Sequence, residues 1–398
     1  MAELPPSVRA ALLALFAVNA AAYVAFPLLA VKLATIDQLP PSQTGAVLTV
    51  FLVAARGSQM VAGPMADRYD PRLIMFAAAL SRAVGFMGLG LASELQLLVV
   101  AAALAGAGGA FEPPVSGLLA AQPEPIRSRA FAMENAALNS GVIAGPALAA
   151  ILVMAGTQVP FLASSLIFFL IAIRVLRIRT DRQPPIAHEP GVFAHARVAM
   201  TDRRFLVFWL IMLPWWFLFA QLSMAIPLRS HALAGAGWVG VLFLANGTAG
   251  MLSIPFVKLL QDRIGSRAAT VAGHLCIAAS MGMIAINPSP WWLLTCVVIF
   301  TVGETMILFS TRLILASFTG ERTRASYFGL YAGSWALGGA AGNFVGARVA
   351  VDPLSPGPWL VFGATGLLAA LICWVVLRRI CSTTESVFEK SVVDGIAA

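Results

Sequence analysis

Charge is scarce in this chain. Asp, Glu, Lys and Arg make up 11% of its 398 residues, while 59% are hydrophobic. Soluble domains carry about 25% charged residues. The shortage excludes a water-soluble globular fold, which could not hide so much apolar surface, and leaves lipid as the solvent. Histidine is thin as well: His188, His195, His231 and His274 form no cluster. No metal set and no nucleophile motif stands beside them, so a membrane enzyme such as an acyl or glycosyl transferase lacks its constellation. The chain is therefore read as a non-enzyme without metal or cofactor. The cysteines Cys276, Cys296, Cys373 and Cys381 stand at no metal or redox spacing and read as small packing residues. No cleavable leader is expected. The first apolar run continues to Ala30, and Arg9 is the one basic residue ahead of it.

Long apolar runs are what the chain has. About 20 apolar residues cross a bilayer as a helix. That window predicts twelve spans, near 8–31, 43–65, 73–92, 95–119, 130–154, 158–176, 205–228, 238–260, 268–286, 291–315, 326–349 and 358–377. The fold class is all-α integral membrane. With the N-terminus inside, 20 of the 26 Lys and Arg fall on cytoplasmic connections, three outside and three within spans. The positive-inside rule then puts both termini in the cytoplasm. It also explains the net charge of +8 without a nucleic-acid partner.

The longest connection, from about Arg177 to Arg204, holds Pro184, Pro185 and Pro190. It is expected to be extended at first, with a short surface helix over 192–203 against the headgroups. It divides the chain into a six-helix bundle at 1–176, a cytoplasmic linker at 177–204, a second bundle at 205–379 and a cytoplasmic tail at 380–398. The halves carry matching punctuation. Asp67 and Arg68 in "GPMADRYDPR" correspond to Asp262 and Arg263 in "KLLQDRIGSR". "RSRA" at Arg127–Ala130 corresponds to "RTRA" at Arg322–Ala325. Both pairs are offset by 195 positions, which implies a duplicated bundle. Repeats of this kind place a binding site near the bilayer midplane, between the halves.

Few ionisable residues lie deep in the spans: Arg56, Arg82, Glu112, Glu304 and Arg312, with Glu134 near a span end. Such charges face the protein interior or water and usually pair. The stretch "AGAGGAFEPPVSGLLAA", Ala105–Ala121, adds Pro113 and Pro114 directly after Glu112. The prolines remove the hydrogen bonds to the carbonyls of Gly109 and Ala110. Irregular backbone at membrane depth is tolerated where it lines a cavity. Glu112 and Glu304 are thus candidates for proton or substrate contact, and burial of a carboxylate favours its protonated form. The rival is a static ion pair with Arg56, Arg82 or Arg312, and for Arg82 a structural pair is favoured. Arg56 either tunes a carboxylate or holds an anionic substrate. Asn19, Gln221 and the aromatic run with Trp215 and Trp216 are further candidates for lining a cavity.

These motifs together resemble the major facilitator superfamily. Gly63, Asp67, Arg68 and Arg72 match its signature loop between spans 2 and 3, with Asp70 in place of a usual glycine and Pro71 of a usual basic residue. "GVIAGPALAA" in span 5 resembles the motif of proton-driven antiporters at Gly141, Gly145 and Pro146; Ala149 and Ala150 stand where glycines are common. The arginine often found in span 4 of those families is Ala102 here. The resemblance covers the chain to about Arg379 and points to the twelve-span drug:proton antiporter families. It implies two six-helix bundles, with spans 1, 4, 7 and 10 lining a central cavity. Asp67 would act as a conformational latch through Arg68, Arg72 or a neighbouring helix N-terminus. Gly141 and Gly145 would form a close helix contact, loosened by Pro146.

The expected function is a proton-coupled antiporter exporting drug-like compounds or metabolites by alternating access, as a monomer in a bacterial inner membrane. Its partners are a small-molecule substrate, protons and the lipid bilayer. The alternative is an exporter of an anionic metabolite such as a siderophore, drawn by Arg56 and Arg312.

Overall fold

A computed structural model describes residues 4–120, 122–123, 126–178, 199–318 and 324–396. Among the described residues the ordered elements are helical, with no strand. Span 1 is Pro6–Val31, prolonged by a π-helical turn Lys32–Ile36. Spans 2 and 3 are Pro41–Arg68 and Pro71–Leu91. Span 4 comes in pieces: Leu95–Ala107, a 3₁₀ turn Gly108–Phe111, and Glu112–Ala120. Spans 5 and 6 are Ile126–Leu152 and Val159–Val175. Span 7 is also broken, into Arg203–Ile211, Leu213–Ala220 and Ala225–Ala234. Spans 8 and 9 form the run Ala236–Ile284, divided at Gly265 (φ 77°). Spans 10 and 11 are Pro290–Ser317 and Arg324–Gly346. Span 12 opens Gly357–Ile396.

Local chemistry sets many of these limits. Spans 1, 2, 3, 6 and 10 each begin with proline in the first helical positions. There the missing N–H costs nothing and the fixed φ already suits the helix. Gly265 makes the reversal between spans 8 and 9 with a positive φ that a side chain would resist. Among the described residues nine stretches are long and apolar enough to cross a membrane, and Ala236–Ile284 is one of them. Val159–Val175 is a shorter apolar helix. Outward faces carry exposed Leu97, Val100, Leu367 and Leu371, a surface that suits hydrocarbon and not water.

The helix that holds span 12 continues into the expected tail, as far as Ile396. Most of the linker expected at 177–204, with its surface helix, lies outside the described residues. Within it residues 199–201 are helical.

Span 1 packs on spans 5 and 6, span 3 on spans 4 and 6, and span 2 on span 4. Later in the chain, span 7 packs on span 11, and the pair formed by spans 8 and 9 packs on spans 10 and 12. Contacts between the earlier and later spans run mainly from span 2 to span 11 and from span 5 to the helix of spans 8 and 9. Gly141 and Gly145 sit where an added Cβ would overlap Asn19, Ala20 and Tyr23 of span 1. That is the close helix approach small residues permit. Pro146 lies inside the helix Ile126–Leu152, and its carbonyl lies against Gly240 of span 8.

Candidate functional site

The break in span 4 builds the first site. Pro113 and Pro114 offer no N–H to the carbonyls one turn back, and Gly108–Phe111 tightens into a 3₁₀ turn there. A new helix starts at Glu112, so the carboxylate lies in its first turn. The helix dipole favours a negative group at that end. Glu112 Oε2 accepts from Gln59 Nε2 at 3.0 Å. Gln59 Oε1 accepts in turn from Arg56 Nη1 at 3.0 Å. Arg56 and Gln59 are three residues apart on span 2, hence on one face. The Arg56 guanidinium lies over the Trp335 ring of span 11, 3.3 Å from its centroid. Trp335 stacks on Trp216 of span 7 with centroids 4.6 Å apart and planes within 10°.

The second site joins spans 8 and 10. Asn246 Nδ2 donates to Glu304 Oε2 at 3.2 Å and to Thr301 Oγ1 at 2.7 Å. Thr301 donates onward to the Val297 carbonyl. One turn further, Ser253 donates to Thr305 Oγ1 at 3.2 Å. Tyr23 of span 1 is within electrostatic reach of Glu304, Arg56, Glu112 and Arg82. Its ring packs on Phe26 and, from span 8, on Phe243.

Static ion pairs were the rival reading for both carboxylates, and the geometry does not bear them out. Among the described residues the side-chain salt bridges are Lys32–Asp37 and Arg72–Asp70. Arg82, expected to pair, is buried with its stem against Gly108 and its charge 5.5 Å from the Phe168 centroid. An aromatic face takes the place of a carboxylate there. Arg312 is exposed, eight residues past Glu304 or about 12 Å along the helix. Glu134 accepts from Ser116 at 2.6 Å, tying span 5 to span 4.

The cavity-lining candidates divide. Asn19 is half-buried and donates to the Leu15 carbonyl. Trp216 is the floor beneath Trp335. Trp215 and Gln221 are fully buried. Gln221 Nε2 donates to the carbonyls of Phe217 and Gly342 and so joins spans 7 and 11, while its buried Oε1 has no hydrogen-bond partner among the described residues.

The loop motif is described only in part. The side chains of Gly63, Asp67 and Arg68 lie outside the described residues. Arg72 was a candidate partner for Asp67, but it is held by Asp70, with Nη2–Oδ2 at 2.6 Å. Asp70 also caps span 3 by accepting from the Arg72 amide. The residue standing in for a glycine therefore has its own job. Asp262 and Arg263 are exposed beside the Gly265 reversal.

Trp335, Tyr23, Thr301, Thr305 and Ser253 escaped the sequence reading. Hydropathy treats them as ordinary residues of apolar helices, and only helix rotation brings them to the sites. The clue available was the four-residue spacing of Thr301 and Thr305 across Glu304.

An all-helical bundle, apolar outside, with carboxylates, amides and a guanidinium at mid-depth, is the architecture of a membrane transporter. The profile of the Major Facilitator Superfamily matches residues 11–343, with a second match over 230–392, and the chain belongs to that superfamily. It is 25% identical over 389 residues to an uncharacterized MFS-type transporter of Mycobacterium tuberculosis, covering 93% of this chain and 92% of the relative. It is 25% identical over 368 residues to the multidrug resistance protein MdtH of Salmonella newport, covering 88% and 89%. Among solved structures it resembles the POT family transporter PepTSo, with TM-score 0.82, 15% identity and 96% and 99% coverage. It also resembles the nucleoside transporter NupG, with TM-score 0.76, 11% identity and 94% and 99% coverage. At those identities the structures speak for the fold alone.

Proposed function

We propose that the chain is a proton-coupled antiporter that exports small organic molecules by alternating access. The observation that carries this is a pair of mid-membrane carboxylates on spans 4 and 10, each hydrogen-bonded to an amide and neither in a salt bridge among the described residues. A group that takes up and releases a proton must exist without its charge. Glu304, whose hydrogen-bond partner Asn246 is neutral, suits that task best. Similarity to a multidrug resistance protein over most of the chain supports export of drug-like compounds. The anionic-metabolite reading has less support, because Arg56 is committed to Gln59 and Trp335.

In this reading residues 1–176 and 205–379 are the two moving bundles, 177–204 links them, and 380–398 follows the second. The protein is a monomer of a bacterial inner membrane with both termini cytoplasmic. Bacterial relatives and the distribution of Lys and Arg support that placement. Membrane-impermeant labelling of intact cells should modify Asn287→Cys and spare Ile264→Cys. The reverse pattern would overturn the orientation.

The function is tested in vesicles of the purified protein carrying a pH-sensitive dye. Ethidium serves as the probe for organic cations and citrate for polycarboxylates. Ethidium flux that follows an imposed pH gradient and moves protons the opposite way is expected. Gradient-driven flux of citrate alone would favour the second reading, and proton movement in the same direction as the probe would replace antiport by symport.

A further inference from the structure

Arg56 is held in an unusual way for a buried cation. It faces no carboxylate at salt-bridge distance among the described residues, and its Nε has no partner. Its two holds are Gln59, on its own helix, and the face of Trp335, on span 11. Spans 2 and 11 are one of the two main contacts between the earlier and later parts of the bundle. The contact is tight: at Gly339 an added Cβ would meet Leu52 of span 2. Trp335 is itself backed by Trp216 and edged by Phe219, so its face is fixed.

Gln59 links this contact to Glu112. A carboxylate only accepts and a guanidinium only donates, so one amide satisfies both in a single orientation. Nε2 points to Glu112 and Oε1 to Arg56. Hydrogen bonds to a charged group are roughly twice as strong as neutral ones. Positive charge arriving at Glu112 therefore weakens the hold on Gln59, and with it the in-plane support of Arg56 on the indole face. The other ionisable groups acting on Glu112 or acted on by it are Tyr23 of span 1, Arg82 of span 3 and Glu134 of span 5. None of these is hydrogen-bonded to Gln59 or lies over Trp335.

We propose that Gln59 and Trp335 are positioning residues that transmit the charge state of Glu112 to the contact between spans 2 and 11. The proposal rests on the alternating-access reading above and names where Glu112 enters it. It assigns the two carboxylates different work: Glu304 exchanges a proton, and Glu112 sets how firmly the two bundles are held together.

The test reads conformation, not transport, so it stands or falls separately from the choice of substrate. Spin labels at Tyr69→Cys and Ile264→Cys, in full-length protein with its native cysteines replaced by alanine, report the distance between spans 2 and 8. Glu112→Gln is expected to shift the ratio of the distance populations by about fivefold, the size of a weakened cation–π contact and not of its full loss. In a Trp335→Leu or Gln59→Leu background the same change should shift it by less than about twofold, since the relay is already cut. Trp335→Phe keeps an aromatic face and should restore the response. A tryptophan that merely packed would give the same shift with and without Glu112. Equal shifts in the Trp335→Leu and native backgrounds, or no shift in the native one, would overturn the proposal. Should Trp335→Leu fail to fold, loss of the response in Trp335→Phe would overturn it as well.

Discussion

At Glu112 the donor is the amide of Gln59, which passes on to a guanidinium lying on a tryptophan of a distant span. At Glu304 the donor is the amide of Asn246, shared with a threonine hydroxyl, and the chain of bonds ends on a backbone carbonyl of the same helix. The two carboxylates stand on spans that correspond by the 195-residue offset, one turn out of register. The first network runs from one half of the sequence to the other, while the second closes within spans 8 and 10. The offset puts a carboxylate on corresponding spans, three positions out of register. It does not make the carboxylates equivalent, because the charge behind each amide is set by single side chains.

The sharpest test of that difference is Glu304→Gln. Glutamine keeps the acceptor for Asn246 and the volume, and loses the ability to take a proton. Flux of ethidium driven by a pH gradient should fall to background, while thermal unfolding in detergent stays near that of the native protein. Persistent gradient-driven flux would move the proton to Glu112 and dissolve the proposed division of labour. Glu112→Gln comes next. If this carboxylate modulates a contact and does not carry the proton, turnover should drop by about tenfold, one order for about 1.4 kcal/mol, with proton coupling retained in the residual flux.

A third prediction concerns the support behind span 4. Gly108 leaves room for the stem of Arg82, and an added Cβ would also crowd the Ala78 carbonyl. Gly108→Ala should lower stability by about 1–3 kcal/mol through overpacking, visible as a lower unfolding temperature, because Arg82 must leave its place near Phe168. The corresponding position beside Glu304, Gly303 by count of the offset, packs on Gly273 and Cys276 and no cation. Gly303→Ala should therefore destabilise without altering the response of the bundle to charge at mid-depth.

Much of this molecule was legible in its sequence, and the parts that were not share a cause. Hydropathy located helices because a bilayer demands about 20 apolar residues in a row, and Glu112-Pro113-Pro114 announced a break because proline lacks the amide that a helix needs. The carboxylates were visible because charge in hydrocarbon is expensive. Their partners were not. Hydropathy does not set Gln59 and Asn246 apart from other amides in the spans, or Trp335 from other aromatic residues; the rotation of spans 2, 8 and 11 does. Arg82 and Arg56 read as half of an ion pair because a buried cation commonly has one; aromatic faces of Phe168 and Trp335 met part of that need instead. Lys32–Asp37 went unread because its two residues are five apart and meet only through a π-helical turn. Asp70 was noted as a departure from a glycine, although an Asp ahead of Pro-Arg at a helix start already spells an N-cap.

The smallest expected effect falls on the neutral side of the comparison. Thr301→Val keeps the shape of the side chain and removes the hydroxyl that accepts from Asn246. Asn246 would then hold Glu304 alone, and the Val297 carbonyl keeps its place in the helix ladder. No charge is stranded, so the cost should be that of one hydrogen bond, about 0.5–1.5 kcal/mol, with ethidium flux changed by less than about threefold. Arg56→Leu is the counterpart in the first site, since it removes the third member of that network while leaving the carboxylate and its amide in place. If the two sites differ as their geometry implies, Arg56→Leu alters the distance between spans 2 and 8 and Thr301→Val does not. Equal responses to both changes would mean that the two amides do the same work and that the guanidinium on Trp335 is only packing.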